Sequence, residues 1–181
     1  HLKDARSKGI PSMGTGAVYL FAVEAVRIDP FPVPPYFRRG FALDDGWNVS
    51  AVGFLAYDND HDILYLTNEL YLKEHRPEQV AGFVKARGDW LPGVGDAAAR
   101  TRDGVQVITI YQRFLPKLSL ADKEVEAGIY DVQMRLASGR LKIFSTCQNT
   151  LWEYQRYHRD EGKIVKRDDH AMDMLRYGCR P

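Results

Sequence analysis

The chain has 181 residues, 45% of them hydrophobic and 27% charged, and 25 Lys and Arg against 24 Asp and Glu leave a formal charge of +1. This suits one globular domain with a single core and excludes a uniformly basic nucleic-acid coat, though not a local basic patch. No run reaches the ~18 apolar residues of a membrane span, and two cysteines, Cys147 and Cys179, exclude a disulfide framework or a Cys-rich zinc site.

The longest apolar candidate, Gly16 to Val26, is interrupted by Glu24 and lacks the basic flank and small-residue cleavage site of a signal peptide, so the chain reads as a reduced, cytoplasmic-type protein. His1 in place of Met suggests an excised fragment or a tag remnant. Gly9 to Gly14 has the glycine spacing of a P-loop, but Thr15 stands where the phosphate-binding Lys belongs, so the segment is read as a loop and ATP is not expected. Gly and Pro punctuate residues 1–38, ending in Asp29-Pro30-Phe31-Pro32-Val33-Pro34-Pro35. Prolines remove ladder donors, so this stretch is expected to be an extended lead-in to a domain spanning 39–181.

Three β-like runs follow, at Arg39–Leu43, Val49–Tyr57 and Ile63–Tyr71, separated by the turn signals Asp45-Gly46 and Asp58-Asn59-Asp60. Connections this short predict an antiparallel meander. Trp47, just past the first turn, is expected in the core or as a loop anchor. Pro77 starts and Gly88 stops a helix whose face carries Val80, Phe83 and Val84. Leu91–Gly95 is a short strand running into Asp96, whereas Gln106–Phe114 fits either strand or helix. A helix is expected over Val125–Leu136, with Glu126 as a first-turn acid, then a strand at Leu141–Phe144 and a helix at Leu151–Arg159. The last helix, Asp169–Tyr177, opens on acids and stops before Gly178. The fold class is therefore α/β, with a central mixed sheet of antiparallel meander plus parallel strands flanked by helices.

The carboxylates carry the chemistry. Asp44 and Asp96 end strands, Asp168 and Asp169 open the last helix, and Asp173 lies one turn further on. Singly, each reads as a turn former or helix cap. Strand ends of an α/β sheet converge on one rim, however, and carboxylates gathered there need a cation; hard oxygen donors suit Mg²⁺ or Mn²⁺. Strand alternation sends Asp45 to the opposite face from Asp44. Between Arg140 and Arg167 stand seven Lys and Arg against three acids, interleaved with Trp152, Tyr154 and Tyr157. This is either a solvated face over core aromatics or a phosphate-tracking surface. In the second case Lys142, Arg156, Lys163, Lys166 and Arg167 contact backbone phosphates.

Six stretches, in order, carry a resemblance: GIPSMGTGAVY (9–19), DPFPVPPYFRRGFALDDGWN (29–48), ARGDWLPGVGDAAAR (86–100), EAGIYDV (126–132), SGRLKIF (138–144) and IVKRDDHAMDMLRYG (164–178). Together they resemble the C-terminal nuclease domain of the large terminase subunit of tailed bacteriophages, and DHAMD followed by RYG is the most specific of them. The resemblance implies an RNase H-like fold and two-metal-ion cleavage of double-stranded DNA concatemers during viral genome packaging. Two Mg²⁺ or Mn²⁺ ions together activate a water and stabilise the leaving oxygen. It implies Asp44, Asp96 and Asp169 as the catalytic metal ligands, with Asp168 auxiliary and Asp173, the second Asp of the motif, in a supporting role; His170, by its place at the helix start, reads as a hydrogen-bonding support rather than a general base or ligand. The missing Walker motif fits a nuclease half whose ATPase domain lies N-terminal in the same subunit. The implied partners are DNA, that ATPase domain, the small terminase subunit and the portal, in the host cell cytoplasm and with no membrane. Two alternatives stay open: another RNase H-like nuclease of resolvase or transposase type, and a non-catalytic DNA-binding or motor-docking module.

Overall fold

The computed structural model describes residues 16–97 and 101–180. Three long strands run as expected: β3 (Arg38–Asp44), β4 (Val49–Asp58) and β5 (Ile63–Lys73). β4 pairs antiparallel with both of its neighbours. Four shorter strands extend this meander into a seven-stranded sheet: β2 (Arg27–Ile28), β6 (Gly93–Asp96), β9 (Leu118–Leu120) and β10 (Leu141–Phe144). The order is β2-β10-β5-β4-β3-β6-β9, with each of the four added strands parallel to the neighbour it joins. Two small ladders stand apart, β1 (Gly16–Ala17) with β11 (His158–Asp160) and β12 (Lys163–Ile164), and β7 (Thr101–Arg102) with β8 (Val105–Gln106).

The helices are α1 (Val23–Val26), α2 (Pro77–Lys85), α3 (Val107–Phe114), α4 (Val125–Ala137), α5 (Gln148–Arg156) and α6 (His170–Cys179). They cover both faces of the sheet. Phe41, Leu43 and Val52 join Val80, Val84, Val107, Ile108 and Tyr111 in a core under α2 and α3. Ala42, Ala51 and Leu66 join Ile129, Val132, Leu151 and Met174 in a larger core under α4, α5 and α6. The ambiguous Gln106–Phe114 run is thus helical beyond Gln106, because Val107, Ile108 and Tyr111 share one face against α2.

Two expectations are corrected. The lead-in boundary at residue 38 does not mark the edge of the core. Val18, Tyr19, Val23 and Val26 are buried in the larger cluster and β2 is an edge strand, so the apolar residues between the prolines anchor residues 16–38 to the domain. The P-loop-like Gly9–Gly14 run lies outside the described residues. The helix expected to reach Arg159 stops at Arg156, since Tyr157 is extended, its carbonyl accepts from the Val18 amide, and His158–Asp160 pairs with β1 and β12. Of the two alternatives for Trp47 the core is excluded and the loop position remains: it is half exposed, with the Arg102 guanidinium 5.8 Å over its ring.

Small residues let α6 seat closely on the sheet. A Cβ at Gly53 of β4 would lie 2.3 Å from Met174 Sδ and 2.7 Å from Leu66 Cδ1. Gly53→Val is expected to destabilise the domain by about 1–3 kcal/mol, lowering the melting temperature by roughly 2–10 °C. A thermal melt checks this, and an unchanged midpoint shows that α6 does not depend on that close approach.

Candidate functional site

Strand alternation decides which face each acid joins. Ala42 belongs to the core under α6, and Asp44, two residues on, leaves β3 on that side. Val94 packs against the same core, so Asp96 follows it; Asp44 and Asp96 are register partners on parallel strands. Asp45 takes the other face, where its carboxylate accepts the Tyr111 hydroxyl of α3 at 2.7 Å. The N-terminal turns of α6 arrive over Asp44, and His170 Nδ1 lies 3.4 Å from Asp44 Oδ2.

Asp44 is buried, and its pKa is pushed up to about 6. Burial is the main cause; the His170 hydrogen bond opposes it, and the carboxylates of Asp173 and Asp96 add to it. In turn the Asp44 contact raises the His170 pKa against the effect of burial. Asp173 is also raised, chiefly by burial, with Lys166 and Arg176 pulling it back. The charges of Asp173, Asp44 and Asp96 all act on the Tyr177 hydroxyl, which donates to Asp96 Oδ2 at 3.4 Å. Asp44 thus feels the charges of both Asp96 and Asp173, and all three act on Tyr177.

Protein cations answer these charges. Lys123 Nζ is 2.8 Å from Asp96 Oδ1, and Arg176, itself 2% exposed, holds Asp173 at 3.0 Å. Lys166 Nζ stands 3.5 Å from Asp169 and 3.9 Å from Asp173. Among the described residues no three His, Cys, Asp or Glu side chains are gathered tightly enough to hold an ion as they stand. The donor chemistry nevertheless fits a divalent cation. Hard carboxylate oxygens meet at a buried rim, and burial with mutual repulsion holds Asp44 well above the usual aspartate range.

Asp169, although buried, is one turn back from Asp173 and held by Lys166; it occupies the N-cap position of α6 without capping through its side chain. Asp168, in the left-handed region at φ 50°, pairs with Arg167 at 3.6 Å, and no contact joins it to Asp44, Asp96 or Asp173. It lines an open pocket with Trp152, Arg156, His158 and Arg167. Asp173, expected only to support the ligands, acts on Asp44, while Asp169 acts on His170 and on Asp173.

The basic stretch divides. Arg156 stacks on the exposed Trp152 at 4.1 Å and with Arg167 lines the pocket that holds Asp168, Lys166 lies beside Asp169 and Asp173, and Tyr154 and Tyr157 are core. Lys163 is exposed on β12. Lys142 is removed from this surface. It is level through Tyr65 and Ala56 with Arg39, five residues along β3 from Asp44 or about 17 Å, and its ammonium donates to the Ala25 carbonyl. Arg140 pairs with Asp62 and Arg159 with Glu126. A groove lined by Arg38, Arg39, Phe41 and Pro92 among others also opens at that far end of the sheet. Sequence reasoning missed Lys123, Tyr177 and Arg176. The last two stand in the quoted RYG motif; Lys123 had no local signal.

No family model matches the chain. It is 33% identical over 190 residues to the large terminase subunits of Enterobacteria phage LP7 and Salmonella phage P22, across 98% of its own length. It spans 40% and 38% of those curated relatives. Its fold matches the P22 large terminase nuclease domain with a TM-score of 0.81 and 32% identity, covering 92% of each chain. It also matches the large terminase nuclease of thermophilic phage G20c with bound magnesium (TM-score 0.69, 12% identity, 93% of this chain and 98% of that one). The nuclease domain of the bacteriophage SPP1 large terminase with bound Mn is a further structural match (TM-score 0.62, 15% identity, 83% and 92%). The mixed sheet flanked by helices is the RNase H-like fold, and the chain belongs to the nuclease domains of the large terminase subunits of bacteriophages.

Proposed function

We propose that this domain is a Mg²⁺- or Mn²⁺-dependent endonuclease that cuts double-stranded DNA concatemers during viral genome packaging, using two metal ions. The observation that carries this reading is the pairing in register of Asp44 and Asp96 at one sheet rim, with the acidic start of α6 arriving over them, in a chain whose fold is that of the P22 nuclease domain. The bound magnesium of the G20c nuclease and the bound Mn of the SPP1 domain support the choice of metal.

Asp44, between the other two, would hold the cation jointly with Asp96 and Asp173, and Asp169 stands next in line. When bound, the metal supplies Lewis-acid activation of water and neutralises the leaving 3′-oxygen. His170 orients the Asp44 carboxylate through its Nδ1 contact. Arg176, from a buried position, aims Asp173 toward the rim. Lys166, Arg156 and Arg167 would track the phosphate backbone, so sequence preference should be weak. The domain would act in the host cell cytoplasm as part of a longer subunit, with an ATPase domain N-terminal to it and with the small terminase subunit and portal as partners.

Supercoiled plasmid tests the reading. Nicking and linearisation in Mn²⁺, no cutting in EDTA, and products with 5′-phosphate and 3′-hydroxyl ends are expected. A folded domain inert in Mn²⁺ leaves the motor-docking reading in its place, and a strong preference for four-way junctions leaves a resolvase.

The DNA surface has its own test. Neutralising Lys163, Lys166 and Arg167 together should weaken DNA binding at low salt. It should also reduce the slope of log affinity against log salt by about 2–3 if each contacts one phosphate. An unchanged slope places the DNA path elsewhere.

A further inference from the structure

Glu153 of α5 is 0% exposed, a carboxylate placed wholly inside the protein behind the rim. It spends its oxygens on three donors. Oε1 accepts from the amides of Ala171 at 2.7 Å and Met172 at 3.2 Å, the free N–H groups of the first turn of α6. Oε2 accepts from the Tyr71 hydroxyl of β5 at 2.5 Å. The Tyr71 ring then meets the His170 ring edge-on, with centroids 6.5 Å apart, and His170 reaches Asp44.

Helix starts leave amides that need acceptors, and the residue in the N-cap position normally supplies one. In α6 that position belongs to Asp169, whose side chain makes no cap hydrogen bond. A carboxylate from a different helix does the capping, which leaves the Asp169 carboxylate outside the helix, beside Lys166. A negative charge also suits the positive end of the α6 dipole. One buried side chain thereby sets the start of α6, and with it the placement of Asp169, His170 and Asp173, and braces the ring that packs against His170.

We propose that Glu153 is a positioning residue for the metal-binding rim: it caps α6 from outside and, through Tyr71, sets the His170 ring over Asp44. The proposal rests on the nuclease reading for its cleavage readout but not for its metal readout. Partners behind metal ligands typically matter by 10–100-fold in affinity or activity.

The test compares the domain with Glu153→Ala, Glu153→Gln and Tyr71→Phe at a temperature where circular dichroism shows each to be folded. Mn²⁺ affinity is measured by calorimetry, and plasmid cleavage gives kcat and KM separately. Glu153→Ala is expected to weaken Mn²⁺ binding at least about tenfold and lower kcat about a hundredfold, with KM for DNA within about threefold. Glu153→Gln keeps a carbonyl for the α6 amides and turns its NH₂ toward Tyr71, which can accept; it should return kcat to within about tenfold of the parent. Tyr71→Phe should lower kcat about tenfold with KM unchanged, and it carries the test if Glu153→Ala does not fold. Folded variants with parental Mn²⁺ affinity and kcat overturn the proposal, as does a Gln variant no better than Ala. A parent that binds Mn²⁺ but does not cut overturns the nuclease reading alone, and a parent that binds no Mn²⁺ overturns both.

Discussion

Asp44→Asn is expected to lower metal-dependent cleavage at least about a thousandfold, more than 4 kcal/mol of transition-state stabilisation, while the metal-free variant melts at or above the parent temperature at pH 7–8. The two effects have one cause. The folded protein raises the Asp44 pKa from 3.8 to about 6, above all by burial. A raised carboxylate pKa means that ionisation costs more in the folded state than in the unfolded one. That cost is absent below about pH 4, grows as pH rises through 6, and reaches about 3 kcal/mol above it. Asn removes the charge with little change in volume, and the pKa of about 6 already includes the His170 hydrogen bond. The gain is therefore at most about 3 kcal/mol, and it should vanish near pH 4. Adding Mn²⁺ at one hundred times its dissociation constant should stabilise the parent by about 2.7 kcal/mol and the variant by less. Melts in EDTA and in Mn²⁺ across pH 4–8 check both signs. A variant less stable in EDTA with a parental Mn²⁺ shift would make Asp44 a structural hydrogen-bonding residue and remove it from the site.

The two acids of α6 should separate. Asp173→Asn is expected to reduce cleavage at least about a thousandfold, whereas Asp169→Asn should cost about ten- to a hundredfold. Asp173 is among the charges that raise Asp44 and act on Tyr177, and the buried Arg176 aims it. Asp169 is held one turn back by Lys166, a contact that is largely exposed on the lysine side. Rates for both variants under single-turnover conditions decide the matter. The reverse order, with Asp169→Asn the more damaging, would restore Asp169 as the third ligand and leave Asp173 as the partner of Arg176. Because Asn loses the Arg176 ion pair in the first variant, a melt should accompany each rate so that unfolding is not read as lost chemistry.

Long elements with a clear period were legible in the chain alone. The meander was readable because turn signals too short for a crossover separate three runs of strand-forming residues. Pro77 and Gly88 bracketed α2, and the acids and Gly178 bracketed α6, because their backbone constraints are local. The side taken by Asp45 was also local, since successive strand residues alternate, and Tyr111 is the partner found on that side. Short elements were not legible. β2 and β9 have two and three residues and exist because a neighbouring strand offers its edge. α5 gave way to β11 because β1, distant in sequence, pairs there.

The sequence by itself determined the family, the fold class and the set of acids from which the site is drawn, because these reside in residue types, their order and their local period. Only the tertiary structure decided how those residues are used. Whether Asp169 or Asp173 meets Asp44 depends on how α6 seats on Ala42 and Gly53, and so on packing between elements 100 residues and more apart. Lys142 and Lys166 belong to one basic stretch, yet a strand carries the first to one end of the sheet and a loop brings the second to the other. Lys123, Tyr177 and Glu153 acquire their roles from partners 18 to 82 residues away. Charge, burial and hydrogen bonding act through space, and distances in space between such residues are set when the sheet and its helices close on one another.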